Sequence, residues 1–66
     1  MKHSDIKVGM IVTGYIPHML KMEKLKYCGK IGTIESLTKG GMFNVRYDDN
    51  TFYTFSAKRL TLVELN

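Results

Sequence analysis

A chain of 66 residues forms one domain at most, and at that size only about 60% of the unfolded chain's surface is buried on folding, which leaves no room for a deep substrate cavity. Its 44% hydrophobic and 24% charged residues exclude wholesale disorder, and no apolar run approaches the roughly 20 residues needed to span a bilayer. The net charge of +4 favours polyanionic partners, although the same excess also serves solubility alone.

No internal repeat, low-complexity tract or linker interrupts residues 1–66, which are read as a single domain. Ile6, Val8, Met10 and Val12 share one parity, the alternation of a strand entering a core from one side. Gly9 predicts a turn or bulge just before a first strand over 10–15. Residues 16–26 are read as a long loop with at most two helical turns. Met19, Leu20, Met22, Lys24 and Leu25 lack β-branching, and Pro17 is tolerated in a first helical turn, but the segment is too short to be a stable helix alone. A second strand is expected over 27–37, with a bulge or sharp bend at Gly32 turning Ile31 and Ile34 into one core. Thr38-Lys39-Gly40-Gly41 supplies the positive φ of a hairpin turn. The third strand, 42–48, alternates cleanly, with Phe43, Val45 and Tyr47 on one face and Met42, Asn44 and Arg46 on the other. Asp48-Asp49-Asn50 turns the chain into a fourth strand, 51–55, with Tyr53 and Phe55 on one side and Phe52 on the other. Residues 56–59 form one 3₁₀ turn with Ser56 as its cap, and 60–65 close as a fifth strand. Five short strands, a long first loop and a 3₁₀ turn before the last strand describe an all-β fold, a small five-stranded SH3-like barrel, since closing the sheet removes its edges.

Two runs of residues carry a resemblance. Gly29-Lys30-Ile31-Gly32-Thr33-Ile34 resembles the KOW motif, in which a basic-glycine-apolar run bends into the second strand of an SH3-like barrel. Val45-Arg46-Tyr47-Asp48-Asp49-Asn50, with Leu60 ten residues after the turn, resembles Tudor-type barrels. The resemblance covers residues 5–65. It implies a KOW/Tudor-type module that binds RNA, DNA, ribosomal components, RNA polymerase or, in Tudor members, methylated side chains. It also implies a phage or mobile-element origin for a compact free-standing copy. Ser36-Leu37-Thr38-Lys39 shortens the extended KOW tail, and with no Trp in the chain an aromatic cage would rest on Tyr and Phe alone.

Catalysis is not expected. His3 and His18 fall in a tail and a loop, and a Cys28–His18 pair has no third group to orient it. Cys28, the sole cysteine, is read as a small, partly buried hydrophobe. It excludes an internal disulfide, and a reducing compartment is expected. Met1-Lys2-His3-Ser4-Asp5 has no apolar run behind it as a signal peptide would, so the expected location is the cytoplasm. Two His and one Cys fall short of the four ligands of a zinc site. Asp48 and Asp49 are explained by their turn, and Gly40-Gly41 lacks the Lys-Ser/Thr and helix of a phosphate loop. No cofactor or metal is expected.

What remains is a basic-aromatic constellation. Lys21, Lys24, Lys26 and Lys30 flank Tyr27, Arg46 faces solvent from its strand, and Lys58 and Arg59 sit on the 3₁₀ turn. Tyr15 and Phe52 have parities that leave them outside the core. Lys24, Lys26, Lys30, Arg46, Lys58, Arg59, Tyr27 and Phe52 are therefore candidates for binding DNA or RNA, the cations attracting the backbone and the rings stacking bases. The competing reading makes the lysines a solvated surface and the rings core. A second surface, Met19, Leu20, Met22 and Leu25, is too apolar for an idle loop. Exposed, it would bind a protein partner, such as a host complex addressed by a phage-encoded modulator. Folded back, it would cap the open end of the barrel.

Overall fold

Five strands carry the described residues: β1 (Ile11–Gly14), β2 (Ile31–Leu37), β3 (Phe43–Arg46), β4 (Phe52–Phe55) and β5 (Leu60–Glu64). In the computed structural model, which describes residues 1–64, they form one antiparallel sheet in the order β4-β3-β2-β1-β5. Strands β2, β3 and β4 make a meander, and β5 returns beside β1. Among the described residues no ladder joins β4 to β5. A helix, α1 (Lys21–Tyr27), fills the long β1–β2 connection, and single 3₁₀ turns occupy His3–Asp5 and Ala57–Arg59. Among the described residues no helix is long and apolar enough to cross a membrane. The expected end of the last strand at Leu65 lies outside the described residues.

The turns are built by their own side chains. Thr38 closes the β2–β3 hairpin, its N–H donating to the Met42 carbonyl at 2.7 Å and its hydroxyl accepting the Met42 N–H at 3.1 Å. Gly41 holds a φ of +79° there, a region that costs glycine nothing. At the β3–β4 turn the Asp49 carboxylate accepts both the N–H (3.1 Å) and the hydroxyl (2.6 Å) of Thr51. Before β1, the Met10 N–H donates to the Lys7 carbonyl across a turn with Gly9 at φ +96°. Val8 sits at the tip of that turn and is exposed, so the alternation running from Ile6 to Val12 breaks at Val8.

A bulge sets which residues of β2 face inward. Leu37 pairs with Phe43 and Ser36 with Asn44. Opposed residues share a face, so continuing that register would set the Glu35 carboxylate opposite buried Val45, inside the core. Instead the register shifts between Ile34 and Ser36, pairing Ile34 with Val45 and turning Glu35 outward. The bulge expected at Gly32 is therefore at Glu35. Ile31 does not join Ile34 in the core: it is 61% exposed, while Ile34 is buried. Gly32 occupies the inward position, and a Cβ there would meet Val45 Cγ1, the Arg46 carbonyl and Tyr47 Cδ1. It is glycine because β3 packs directly on it.

The sheet coils over its own inner face. In a flat sheet β1 and β4, three spacings apart, would lie about 14 Å from each other. Yet the Phe55 ring lies 2.6–2.8 Å from where a Cβ on Gly14 would sit. Phe55, Ile34, Val12 and Val45 are the largest fully buried side chains, and Ile6, Met10, Phe43, Tyr47 and Leu60 complete the core. The segment read as an N-terminal tail also packs, the His3 ring lying 4.9 Å from that of Phe43. Ser56 precedes the 3₁₀ turn but makes no side-chain cap. Its carbonyl accepts the Arg59 N–H instead. Tyr27, expected to open β2, is the last residue of α1.

Burial of Tyr47 gives the fold an alkaline limit. Its hydroxyl donates to the Tyr27 carbonyl at 3.4 Å. Burial, helped by the neighbouring Cys28 and Tyr27 groups, pushes the phenol up to about 12. An unfolded tyrosine ionises near pH 10, so between pH 10 and 12 the unfolded chain releases a proton that the folded chain keeps. Stability is therefore complete below pH 10 and falls as pH rises toward 12, by on the order of 2 kcal/mol. Thermal melts from pH 8 to 12 should show this loss, and Tyr47→Phe should flatten it. An identical alkaline arm in that variant would rule the assignment out.

Candidate nucleic-acid interface

The strand register gathers the candidate residues at one end of the sheet. Gly14 pairs with Leu60, Thr13 with Ile31, and Arg46 with both Thr33 and Phe52. Tyr15, Arg59 and Lys30 adjoin Gly14, Leu60 and Ile31 in the chain, so with Arg46 and Phe52 they lie at that same end. Two backbone bonds tie the connections there: the Tyr15 N–H donates to the Arg59 carbonyl at 3.0 Å, and the Gly29 N–H to the Gly14 carbonyl at 3.0 Å. The 3₁₀ turn and the α1–β2 junction thus both meet the end of β1.

The cations divide by what already holds them. Lys24 Nζ stands 5.7 Å from the centre of the Tyr15 ring, and that ring is 54% exposed. The Arg59 carbonyl accepts the Tyr15 N–H, so the basic 3₁₀ turn, with half-buried Arg59 and exposed Lys58, adjoins this open ring in the fold. Arg46 is different. Its Nε and Nη2 donate to the two Glu35 carboxylate oxygens at 2.8 and 2.6 Å, and its guanidinium lies 5.8 Å from the centre of the Phe52 ring. The hydrogen bond from Arg46 holds the Glu35 carboxyl below its usual range, and the same bond raises the guanidinium. Arg46 therefore has two partners before any ligand arrives. Lys30 is exposed, and its charge adds to the Thr51 hydrogen bonds that keep the Asp49 carboxyl low.

Tyr27 is no free platform. Its half-buried ring lies 4.8 Å from that of Tyr53 and 5.6 Å from that of Tyr47, and Lys26 Nζ covers it at 5.4 Å. Tyr53 continues the wall to Phe55 at 5.3 Å, and its hydroxyl donates to Glu23 at 3.4 Å. Desolvation and, next, the Glu23 charge raise the Tyr53 phenol. Phe52 is exposed as expected, with Arg46 over it.

The apolar candidates separate as well. Met19 is buried, and the Cys28 thiol donates to its sulfur at 3.6 Å. Leu20, Met22 and Leu25 are exposed at 73%, 83% and 74%. The described surface holds no pocket and no cluster of three or more His, Cys, Asp or Glu placed to hold a metal.

Two residues gain weight from the structure. Tyr15 becomes the centre of the patch. Its parity marked the ring as exposed, but its meeting with Lys24 depends on how the long connection folds. Glu35 emerges as the partner of Arg46, and its signal lies in the sequence: an unbulged hairpin would bury its carboxylate. Comparison with protein-family models, with curated proteins and with solved structures returns no match, so what this surface does rests on its own residues.

Proposed function

We propose that the chain is a non-enzymatic SH3-like barrel of the KOW/Tudor type that binds single-stranded nucleic acid through Tyr15, Lys24, Lys58 and Arg59, with Lys26 and Lys30 extending the cationic rim. The barrel reading is supported by β5 returning beside β1 after a 3₁₀ turn and by the Phe55 ring reaching Gly14 across the sheet. The observation that carries the function is the exposed Tyr15 ring with the Lys24 ammonium above it and the basic 3₁₀ turn tied to its backbone through the Arg59 carbonyl. Such a ring stacks an unpaired base, worth about 1–3 kcal/mol, while the cations neutralise the flanking phosphates. Duplex reading has less support. Major-groove recognition needs a helix or two-stranded ribbon that fits the groove, and α1 is two turns long.

Fluorescence anisotropy with labelled single-stranded DNA and RNA at two ionic strengths tests this. Neutralising about four phosphates predicts a log–log salt slope near −2.8 for a single strand, against about −3.6 for duplex. Tyr15→Ala should weaken binding about tenfold with the slope unchanged, whereas Lys24→Ala should reduce the slope by about 0.7. Glu35→Gln should free Arg46 for phosphate, raising affinity and steepening the slope by about 0.7. Absence of binding at low salt sinks the proposal.

A further inference from the structure

Helix α1 faces the wrong way for an element that serves only its own domain. Two helical turns have no stability alone, and a surface helix ordinarily turns its apolar stripe to the core. Here none of the seven residues is fully buried. Glu23, Lys24 and Tyr27 are the half-buried ones, with Glu23 held to the Tyr53 hydroxyl. Met22 and Leu25 point into water, and Leu20 at the helix start does the same. At about 100° per residue, Lys21, Leu25, Met22 and Lys26 follow one another across the outer face, and Met22 and Leu25, three apart, lie side by side.

We propose that this outer face docks an acidic amphipathic segment of another protein. Leu20, Met22 and Leu25 receive its apolar side chains, and Lys21 and Lys26 pair with its carboxylates. Charge selects the occupant. Glu23, the helix's sole acidic residue, is turned inward to Tyr53, so the face presents cations and apolar groups alone. A second copy would set lysines against lysines. A nucleic-acid backbone would satisfy the lysines and leave Met22 and Leu25 in water. An acidic segment with its own leucines satisfies both, and methionine adapts to varied apolar shapes. The apolar centre of this face lies away from the Tyr15 patch, to which Lys24 turns from the inner side of the helix, and Lys26 alone borders both.

The test is selection of displayed random peptides on the immobilised full chain, with counter-selection on a Met22→Ser, Leu25→Ser variant. Enriched peptides should carry excess Asp and Glu with Leu, Ile or Phe at three- and four-residue spacings. They should bind wild type at least about tenfold tighter than the variant, and Lys21→Glu with Lys26→Glu should also weaken them. Oligonucleotide affinity should be unchanged in the Met22→Ser, Leu25→Ser variant, which keeps this interface distinct from the nucleic-acid site. Amide shifts of labelled wild type on adding an enriched peptide should concentrate in residues 20–26. Enrichment of neutral or basic peptides, shifts centred elsewhere, self-association lost in the double Ser variant, or binding to phosphatidylserine vesicles through this face would each overturn the proposal. Unfolding of the double Ser variant would do so as well, by showing that these side chains serve packing.

Discussion

Gly32→Ala should sharply destabilise the fold at 25 °C. The glycine lies on the inner face of β2, and the added methyl would sit 2.5 Å from Val45 Cγ1, 2.9 Å from the Arg46 carbonyl oxygen and 3.1 Å from Tyr47 Cδ1. All three obstacles belong to β3 or the residue just after it. Val45 and Tyr47 are buried and have no space to retreat into, and the carbonyl cannot shift without carrying the strand. The methyl therefore pries β2 from β3 at the centre of the meander. Overpacking costs about 1–3 kcal/mol, and more where backbone must move. A domain this size has roughly 3–10 kcal/mol in all, so one methyl takes much of it. Gly40→Ala is the control, because its nearest neighbour, Thr38 Oγ1, would be 3.8 Å away. Urea unfolding followed by circular dichroism should show a collapsed midpoint for the first variant and a near-native one for the second. Equal midpoints would refute the packing argument.

How far the sequence reaches is clearest on β3 and β4, where period-two alternation separates Phe43 and Val45 from Asn44 and Arg46, and Phe55 from Phe52. Those assignments rest on local chemistry, and the burial pattern follows them. Strand β2 shows the limit. Its inner set depends on pairing with β3, and the side of a bulge cannot be read from one strand alone. Ile31 and Ile34 invite a shared core, yet burial goes to Gly32 and Ile34 because the neighbouring strand needs the space a side chain would fill. The 16–26 connection is harder still. Its composition announces two helical turns and the apolar set Met19, Leu20, Met22 and Leu25, but only the tertiary packing decides that Met19 turns in while Leu20, Met22 and Leu25 turn out. Among the cations, residue type alone cannot separate Arg46, committed to Glu35, from Lys24, poised over Tyr15.

Phe55→Ala should cost about 3–5 kcal/mol, a large share of the roughly 3–10 kcal/mol that holds a domain of this size. Phe55 has 0% exposure and touches both ends of the coil. Its ring packs on Gly14 beneath the Tyr15 patch, and through Tyr53 and Tyr27 it reaches α1. Losing it should loosen both proposed binding surfaces at once. A gentler pair of substitutions isolates the contact. The atoms nearest a Gly14 Cβ are Phe55 Cζ, Cε1 and Cε2 at 2.6, 2.7 and 2.8 Å, and leucine lacks all three. Gly14→Ala should therefore be strongly destabilising beside phenylalanine and much less so in a Phe55→Leu background, with a favourable coupling of about 1–2 kcal/mol in the double-mutant cycle. Thermal and urea unfolding of the four proteins measures it. If the two costs simply add, Phe55 is not pressed against β1, and the coiled sheet that brings Tyr15, Arg59 and α1 together must be held some other way.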